Sequence, residues 1–385
     1  MRCGATDRCV TFVPFSYTHT HTHTDGAGAV GLQAAGGPDC LSECVCDVLL
    51  HTGHTLTRRC SDGFAPAAAL CKTQTPVLRP HPRQECSLNM KKFSQELSDF
   101  LNCPYKQNTS EQQFNRMRLQ YCCNATHSLI LTKRNTAVDH IITYETEGKR
   151  TYRVKADLHK MLPEDSPWSA GALGLCAVVG SSGILKNSSC GRQIDSADFV
   201  IRFNLALVND SDVGLKTDLM NINPSQILTQ YKTMEQDPGP LVERISVYGN
   251  SSLIIPAFAY GFCTSPSLRV LRVLQPIRPQ QPVVFFNPHY LRALDRFWKW
   301  RGLKEPRLSS GFILISAALE MCEHVHVYGF WPFGTDLQEN PVPYHYYDQS
   351  KPSPYMHRMP EEFVRLLQLH SQGALTLHLQ PCHTP

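Results

Sequence analysis

From about residue 170 onward, short apolar runs of strand length alternate with stretches of helical period. This alternation narrows the possible folds more than any other feature of the chain. Strands are predicted at 173–179, 198–204, 245–249, 282–287, 324–330 and 374–379, and helices at 290–300, 312–323 and 360–370. In the second helix Leu314, Ala317, Ala318 and Met321 fall at i, i+3, i+4 and i+7. The third has Pro360 in its first turn and Gly373 just past its end, as helix punctuation prefers. Such a pattern predicts an α/β fold with a mostly parallel sheet flanked by helices. Ligands on such sheets bind beyond the carboxyl ends of the strands. The first strand stops at Gly180-Ser-Ser-Gly183 and the second ends on Asn204, so both stops lie on one rim. Small residues let backbone N–H groups approach a phosphate, and Ser181 and Ser182 add hydroxyl donors. An ordinary strand-to-helix turn has the same composition, so the turn alone does not decide between the two.

The chain has 385 residues, enough for two average domains or one large domain with an extension. A net charge of +4, with basic residues scattered rather than clustered, gives no footprint for nucleic acid. Sixteen cysteines occur without a CxxC pair of zinc-finger spacing. With sequons at Asn108, Asn124, Asn187, Asn209 and Asn250, they argue for an oxidising, secretory compartment. No run of about 18 apolar residues is present, and the N-terminus lacks a basic flank before an apolar segment. Residues 1–85 read as low-complexity and unstructured. Their Thr18-His-Thr-His-Thr-His-Thr24 run suits a soft metal, or is the translation of a repeated two-base tract, in which case the segment need not be native. Residues 86–165 read as a stem or ancillary region, with a helix at 91–101 that places Phe93, Leu97 and Leu101 on one side and a strand-like stretch at 137–144. Residues 166–385 form the principal domain.

Further segments carry chemistry. Ser309, Ser310 and Gly311 precede a helix and offer free N–H groups and a dipole to an anion, although an ordinary Ser N-cap looks the same. The helix leads into His324-Val-His-Val-Tyr-Gly-Phe-Trp-Pro-Phe333. Then come His345-Tyr-Tyr-Asp348 and His357-Arg-Met-Pro-Glu-Glu362. The helix starting after His357 disfavours its imidazolium, while Glu361 and Glu362 favour it, so the sign of any shift stays open.

Taken in order, Cys176–Asn204, Arg307–Phe333, His345–Asp348 and His357–Glu362 resemble the four sialyl motifs of animal sialyltransferases, glycosyltransferase family 29. The run Ile194-Asp-Ser-Ala-Asp-Phe-Val-Ile-Arg202 is similar to the alpha-2,8 branch. The C-terminal third is most similar to type VI at Phe286–Asp295 and Met359–His370, with types I and V still open. The resemblance implies a GT-A-like, Rossmann-like fold, with residues 166–385 as the catalytic domain. It implies a CMP-sialic acid donor, a sialylated glycan acceptor and a Golgi membrane setting with a lumenal catalytic domain. His357 would take the proton of the acceptor hydroxyl while His345 assists, and transfer would invert the anomeric centre. Ser181, Ser182, Asn204, Ser309, Ser310 and Gly311 would hold the nucleotide, with Trp331 as a wall. Disulfides Cys176–Cys322 and Cys190–Cys382 follow from the same resemblance, while partners for Cys103, Cys122, Cys123 and Cys263 stay open.

No metal or other cofactor is expected. Asp210-Ser-Asp212 has the spacing of a metal-holding acidic pair, but it reads as a polar turn beside the sequon at Asn209. Two departures from the family pattern stand out. Ser310 replaces the usual Thr and keeps the hydroxyl. Ser181 replaces the usual Asn and shortens the reach toward the nucleotide, so a catalytically impaired sialoglycan-binding protein of the same fold is the alternative. The pair His345 and His357 favours an enzyme.

Overall fold

The structure, a computed structural model, describes residues 95, 97–101, 105–168, 171–348 and 359–382. Residues 1–85, Phe93, Cys103 and His357 lie outside them. The described part begins with a helical segment whose Leu97 and Phe100 are buried. Next come α1 (Thr109–Cys122), α2 (Ala125–Ser128), the hairpin strands β1 (Ile141–Thr143) and β2 (Thr151–Arg153), and α3 (Ala156–Met161). A parallel-sheet unit follows: β3 (Leu173–Val179), α4 (Gly191–Asp195), β4 (Phe199–Phe203), β5 (Leu219–Asn221), α5 (Pro224–Gln230), α6 (Gly239–Ser246) and β6 (Ser252–Ile255). It continues with α7 (Gly261–Ile277), β7 (Val283–Phe285), α8 (Pro288–Lys299), α9 (Ser310–Met321), β8 (Cys322–Tyr328), α10 (Met359–Ser371) and β9 (Thr376–His378).

The seven strands lie in the order β7-β6-β5-β4-β3-β8-β9, and every neighbouring pair is parallel. The chain therefore starts at β3, winds outward to β7, and returns to place β8 on the other side of β3. Winding reverses between β3 and β8, and the crevice beyond their carboxyl ends is where such sheets bind ligands. Both faces are covered, so the inner strands are apolar on both sides rather than alternating with polar residues. Cys176 and Val178 join one apolar cluster with α8, α9 and α10, while Ala177 and Val179 join another with Val200 and Tyr328.

One predicted strand fails on the sheet, and one strand was missed. The expected strand at 245–249 is the end of α6 and the turn after it, because Leu241, Ile245 and Tyr248 are buried at i, i+4 and i+7. The strand lies at 252–255 instead, and β5 was unpredicted because three residues show no period. The 103–165 stretch packs on the sheet's own core, to which Leu119, Cys123, Ala125, Leu129 and Ile130 belong. Leu131 donates to Phe285 O (2.9 Å) and Asn287 to Leu129 O (2.9 Å), which ties that layer to the end of β7. No helix among the described residues is long and apolar enough to cross a membrane.

Candidate active site

A cavity of about 230 Å³ opens at the carboxyl ends of β3, β4, β5 and β8. It gathers Ser181, Ser182, Asn204, Ser309, Ser310, Gly311, Trp331 and His345, which lie up to 164 positions apart. The turn after β3 is held against the one after β8. Gly180 N donates to Tyr328 O (2.8 Å) and Ser182 N to Gly329 O (3.1 Å). A Cβ on Gly180 would run into the backbone carbonyl of Gly329, so close approach requires glycine there. Ser182 differs from expectation in role. Its buried hydroxyl donates to Trp331 O (2.9 Å), so it fastens the two turns together rather than facing a ligand. Ser181 is half-buried; its carbonyl accepts from Tyr346 N (3.0 Å) and its hydroxyl bonds the Tyr347 side chain.

Asn204 has a left-handed backbone at φ 56°. Asn tolerates that region better than most residues, and its short carboxamide bonds locally. Here Asn204 Oδ1 accepts from Asn223 N (3.1 Å), and Asn223 Oδ1 accepts from Ser310 Oγ (2.8 Å). Asn223 was not foreseen, since Asn-Pro before a short helix reads as turn chemistry and nothing more. Ser309 caps α9, its Oγ accepting from Phe312 N (3.1 Å). Its own hydroxyl hydrogen goes to Glu362 Oε2 (2.5 Å), and its N–H goes to Glu362 Oε1 (2.7 Å). The following N–H groups, of Ser310 and Gly311, begin the helix and have no intrahelical acceptor. Such N–H groups in a cavity lining are suited to an anion.

Glu362 is 4 % exposed, and burial raises its carboxyl to about 7 against the Ser309 hydrogen bonds and the Arg307 charge. The His-x4-Glu pattern named this residue, but only the fold places it against Ser309. Trp331, 7 % exposed, donates from Nε1 to Thr335 O (2.8 Å) and packs edge-on against Phe333 and Phe363, at 4.8 and 5.5 Å. Trp331 and Phe330 together form the aromatic wall. Across the cavity, His345 Nδ1 lies 3.0 Å from both Asp348 oxygens, and its ring stacks on Tyr347 at 5.1 Å. A carboxylate at Nδ1 fixes the tautomer that leaves Nε2 as the acceptor.

The profile of glycosyltransferase family 29 (sialyltransferase) matches residues 130–374, a span that includes this cavity and part of the 103–165 layer. The chain belongs to that family. Alpha-2,8-sialyltransferase 8F of Mus musculus is 38% identical over 295 residues, covering 76% of this chain and 74% of the relative. Alpha-2,8-sialyltransferase 8E of Homo sapiens is 40% identical over 283 residues, covering 73% and 75%. A mammalian sialyltransferase crystal structure aligns with a TM-score of 0.49 at 22% identity, covering 71% of this chain and 96% of that one.

In this sialyltransferase Cys176 is joined to Cys322 and Cys190 to Cys382. The first bridge ties β3 to the start of β8, the two strands that flank the crevice. Cys122 and Cys123 are joined to each other, and Cys263 is a buried free thiol. Asn108, Asn187, Asn209 and Asn250 are exposed, whereas Asn124 is half-buried with its Oδ1 out of contact with water. Asp212 accepts from Asn187 N (3.0 Å) and Ser189 N (3.1 Å), so it pins a loop, while Asp210 is exposed.

Proposed function

We propose that this sialyltransferase moves sialic acid from CMP-sialic acid to the 8-hydroxyl of a terminal sialic acid on a glycoprotein or glycolipid glycan. The observation that carries the reading is the convergence of residues from all four motif segments on one cavity. Together they supply an anion-binding helix start, a Ser/Asn network and an aromatic wall. The relatives' names support the alpha-2,8 linkage. The CMP phosphate sits over the N–H groups of Ser310 and Gly311, which stabilise the charge that develops as the bond to the sugar breaks. Asn204, Asn223 and Ser310 hold the nucleotide through their shared hydrogen bonds, and Trp331 and Phe330 wall it. His357, which directly precedes α10, takes the acceptor proton while His345 assists at the departing phosphate, and the anomeric centre inverts.

Cytidylate carries less charge than a nucleoside diphosphate, and the engaged Asp212 suits a loop pin better than a metal ligand, so the reaction proceeds without a divalent cation. The setting is the Golgi lumen. A transfer assay with radiolabelled CMP-sialic acid tests the reading on sialylated and desialylated glycoprotein and ganglioside acceptors, with and without chelator. Label should reach only the sialylated acceptors, and chelator should leave the rate unchanged. His357→Ala should lower turnover by ~10²–10⁴-fold while CMP binding persists. Ser181 in place of the family's longer Asn, with its hydroxyl engaged by the Tyr347 side chain, favours one second reading, a catalytically impaired sialoglycan-binding protein of the same fold. Binding of sialylated acceptor with no transfer would select it.

A further inference from the structure

Beside the donor turn, the buried guanidinium of Arg307 acts on two buried carboxyl groups. Arg307 gives Nε and Nη2 to the same oxygen of Glu145, at 3.0 and 2.9 Å, and both side chains are under a tenth exposed. Glu362 stands in the cavity wall with both carboxyl oxygens on Ser309, and the charge of Arg307 acts on it as well. Two carboxyl groups therefore share one guanidinium. Among the described residues, other charged or titratable groups near Glu362 are Glu361, which accepts from Lys304 N (3.3 Å), Arg365 one turn along α10, buried Glu305 before Arg307, and His345 across the cavity; His357 and Arg358, which precede α10 in the chain, lie outside them. A nucleotide phosphate on the N–H groups of Ser310 and Gly311 adds negative charge beside a carboxyl whose ionised form burial already disfavours.

We infer that Glu362 takes up a proton when the donor nucleotide binds, and that this turns the Ser309 hydroxyl toward the phosphate. The Ser309 hydroxyl hydrogen points at Glu362 Oε2. When Oε2 accepts a proton from solvent, the new O–H donates to Ser309 Oγ. That oxygen already accepts from Phe312 N, and two acceptances fill its lone pairs. Its own hydrogen is released into the cavity, where a phosphate oxygen accepts it. One proton enters from water, one hydrogen bond reverses and one new bond forms to the ligand. A carboxyl held near 7 makes this exchange cheap at neutral pH. Glu145 is the positioning residue behind it, because it occupies the guanidinium that would otherwise keep Glu362 charged.

The inference rests on the reading that the nucleotide phosphate occupies the start of α9. Calorimetric titration of the whole protein with CMP at pH 7.5 and 8.5, in buffers of different ionisation enthalpy, separates the two. Wild type should take up about half to one proton per CMP, with affinity falling as pH rises. Glu362→Gln, which keeps the carboxamide oxygen for Ser309 N–H, should bind CMP with uptake near zero and a flat pH dependence. Glu145→Gln should also lower the uptake at pH 7.5, by freeing Arg307 to hold Glu362 ionised. CMP binding without proton uptake in wild type would overturn the inference, as would equal uptake in wild type and Glu362→Gln. Should Glu362→Gln not fold, unchanged uptake in Glu145→Gln overturns it. Absence of CMP binding would instead overturn the reading beneath it.

Discussion

Single hydrogen bonds decide which residues of the turn face a ligand. Ser182 and Ser310 looked equivalent as small donors, yet Ser182 is spent on Trp331 O while Ser310 reaches Asn223 at the cavity surface. Asn223→Ala removes the acceptor for Ser310 Oγ but keeps the backbone N–H that Asn204 needs. Loss of one such bond is worth about 1 kcal/mol, so the donor KM should rise roughly three- to tenfold. The turnover number and Tm should hardly change, and initial-rate kinetics at varied CMP-sialic acid check this. A matching loss of Tm would show that Asn223 merely holds the fold. Gly311 is constrained by space, since a Cβ there would lie 3.1 Å from the tip of the Phe330 ring.

At the scale of elements, the site depends on a layer outside the motifs. Glu145 follows β1, and its bond to Arg307 joins the hairpin layer to the segment that enters α9. Burial raises the Glu145 carboxyl, and Arg307 opposes that rise through its charge and hydrogen bonds. Removing one member of such a pair leaves an uncompensated buried charge, which costs about 3–5 kcal/mol. Arg307→Met should therefore unfold at clearly lower denaturant than wild type, and adding Glu145→Gln to it should restore part of the loss. A double variant no better than the single one would show that the pair is not the source. Arg292 anchors the same hairpin by donating to Thr143 O (2.7 Å), which gives the layer a second attachment.

Across the whole molecule, the β8–β9 edge of the sheet carries a histidine cluster at the carboxyl ends of those strands. His378 stacks on Tyr328 at 4.1 Å, and its Nε2 lies 3.3 Å from His326 Nδ1. Burial, reinforced by the neighbouring imidazoles, lowers His326 to about 4 and His378 to about 3. Below pH 6.5 the unfolded chain binds protons that the native state refuses, so these groups withdraw stability as pH falls from 6.5 toward their native values. His378→Phe keeps the ring stack and removes one such group. Its stability relative to wild type should improve on acidification from pH 6.5 to 5, by about 1 kcal/mol per pH unit at most. Urea unfolding at several pH values measures this; a difference independent of pH would contradict it.

What the sequence alone determined is the set of local signals: the alternation of strand and helix, the glycine turn, the Ser cap and the order of the motifs. Most strands and the three helices predicted after residue 280 lie where periodicity put them, because both faces of an inner parallel strand must be apolar and a core helix must repeat near 3.6. The strand expected at 245–249 failed because Ile245-Ser-Val-Tyr alternates locally, while burial follows the longer helical period from Leu241. Tertiary structure alone decided which distant polar groups meet. Asn223 with Ser310, Glu362 with Ser309 and Glu145 with Arg307 are separated by 53 to 162 positions. No local pattern encodes such pairs, because they arise only when the sheet's winding reverses and brings separate strand ends to one rim.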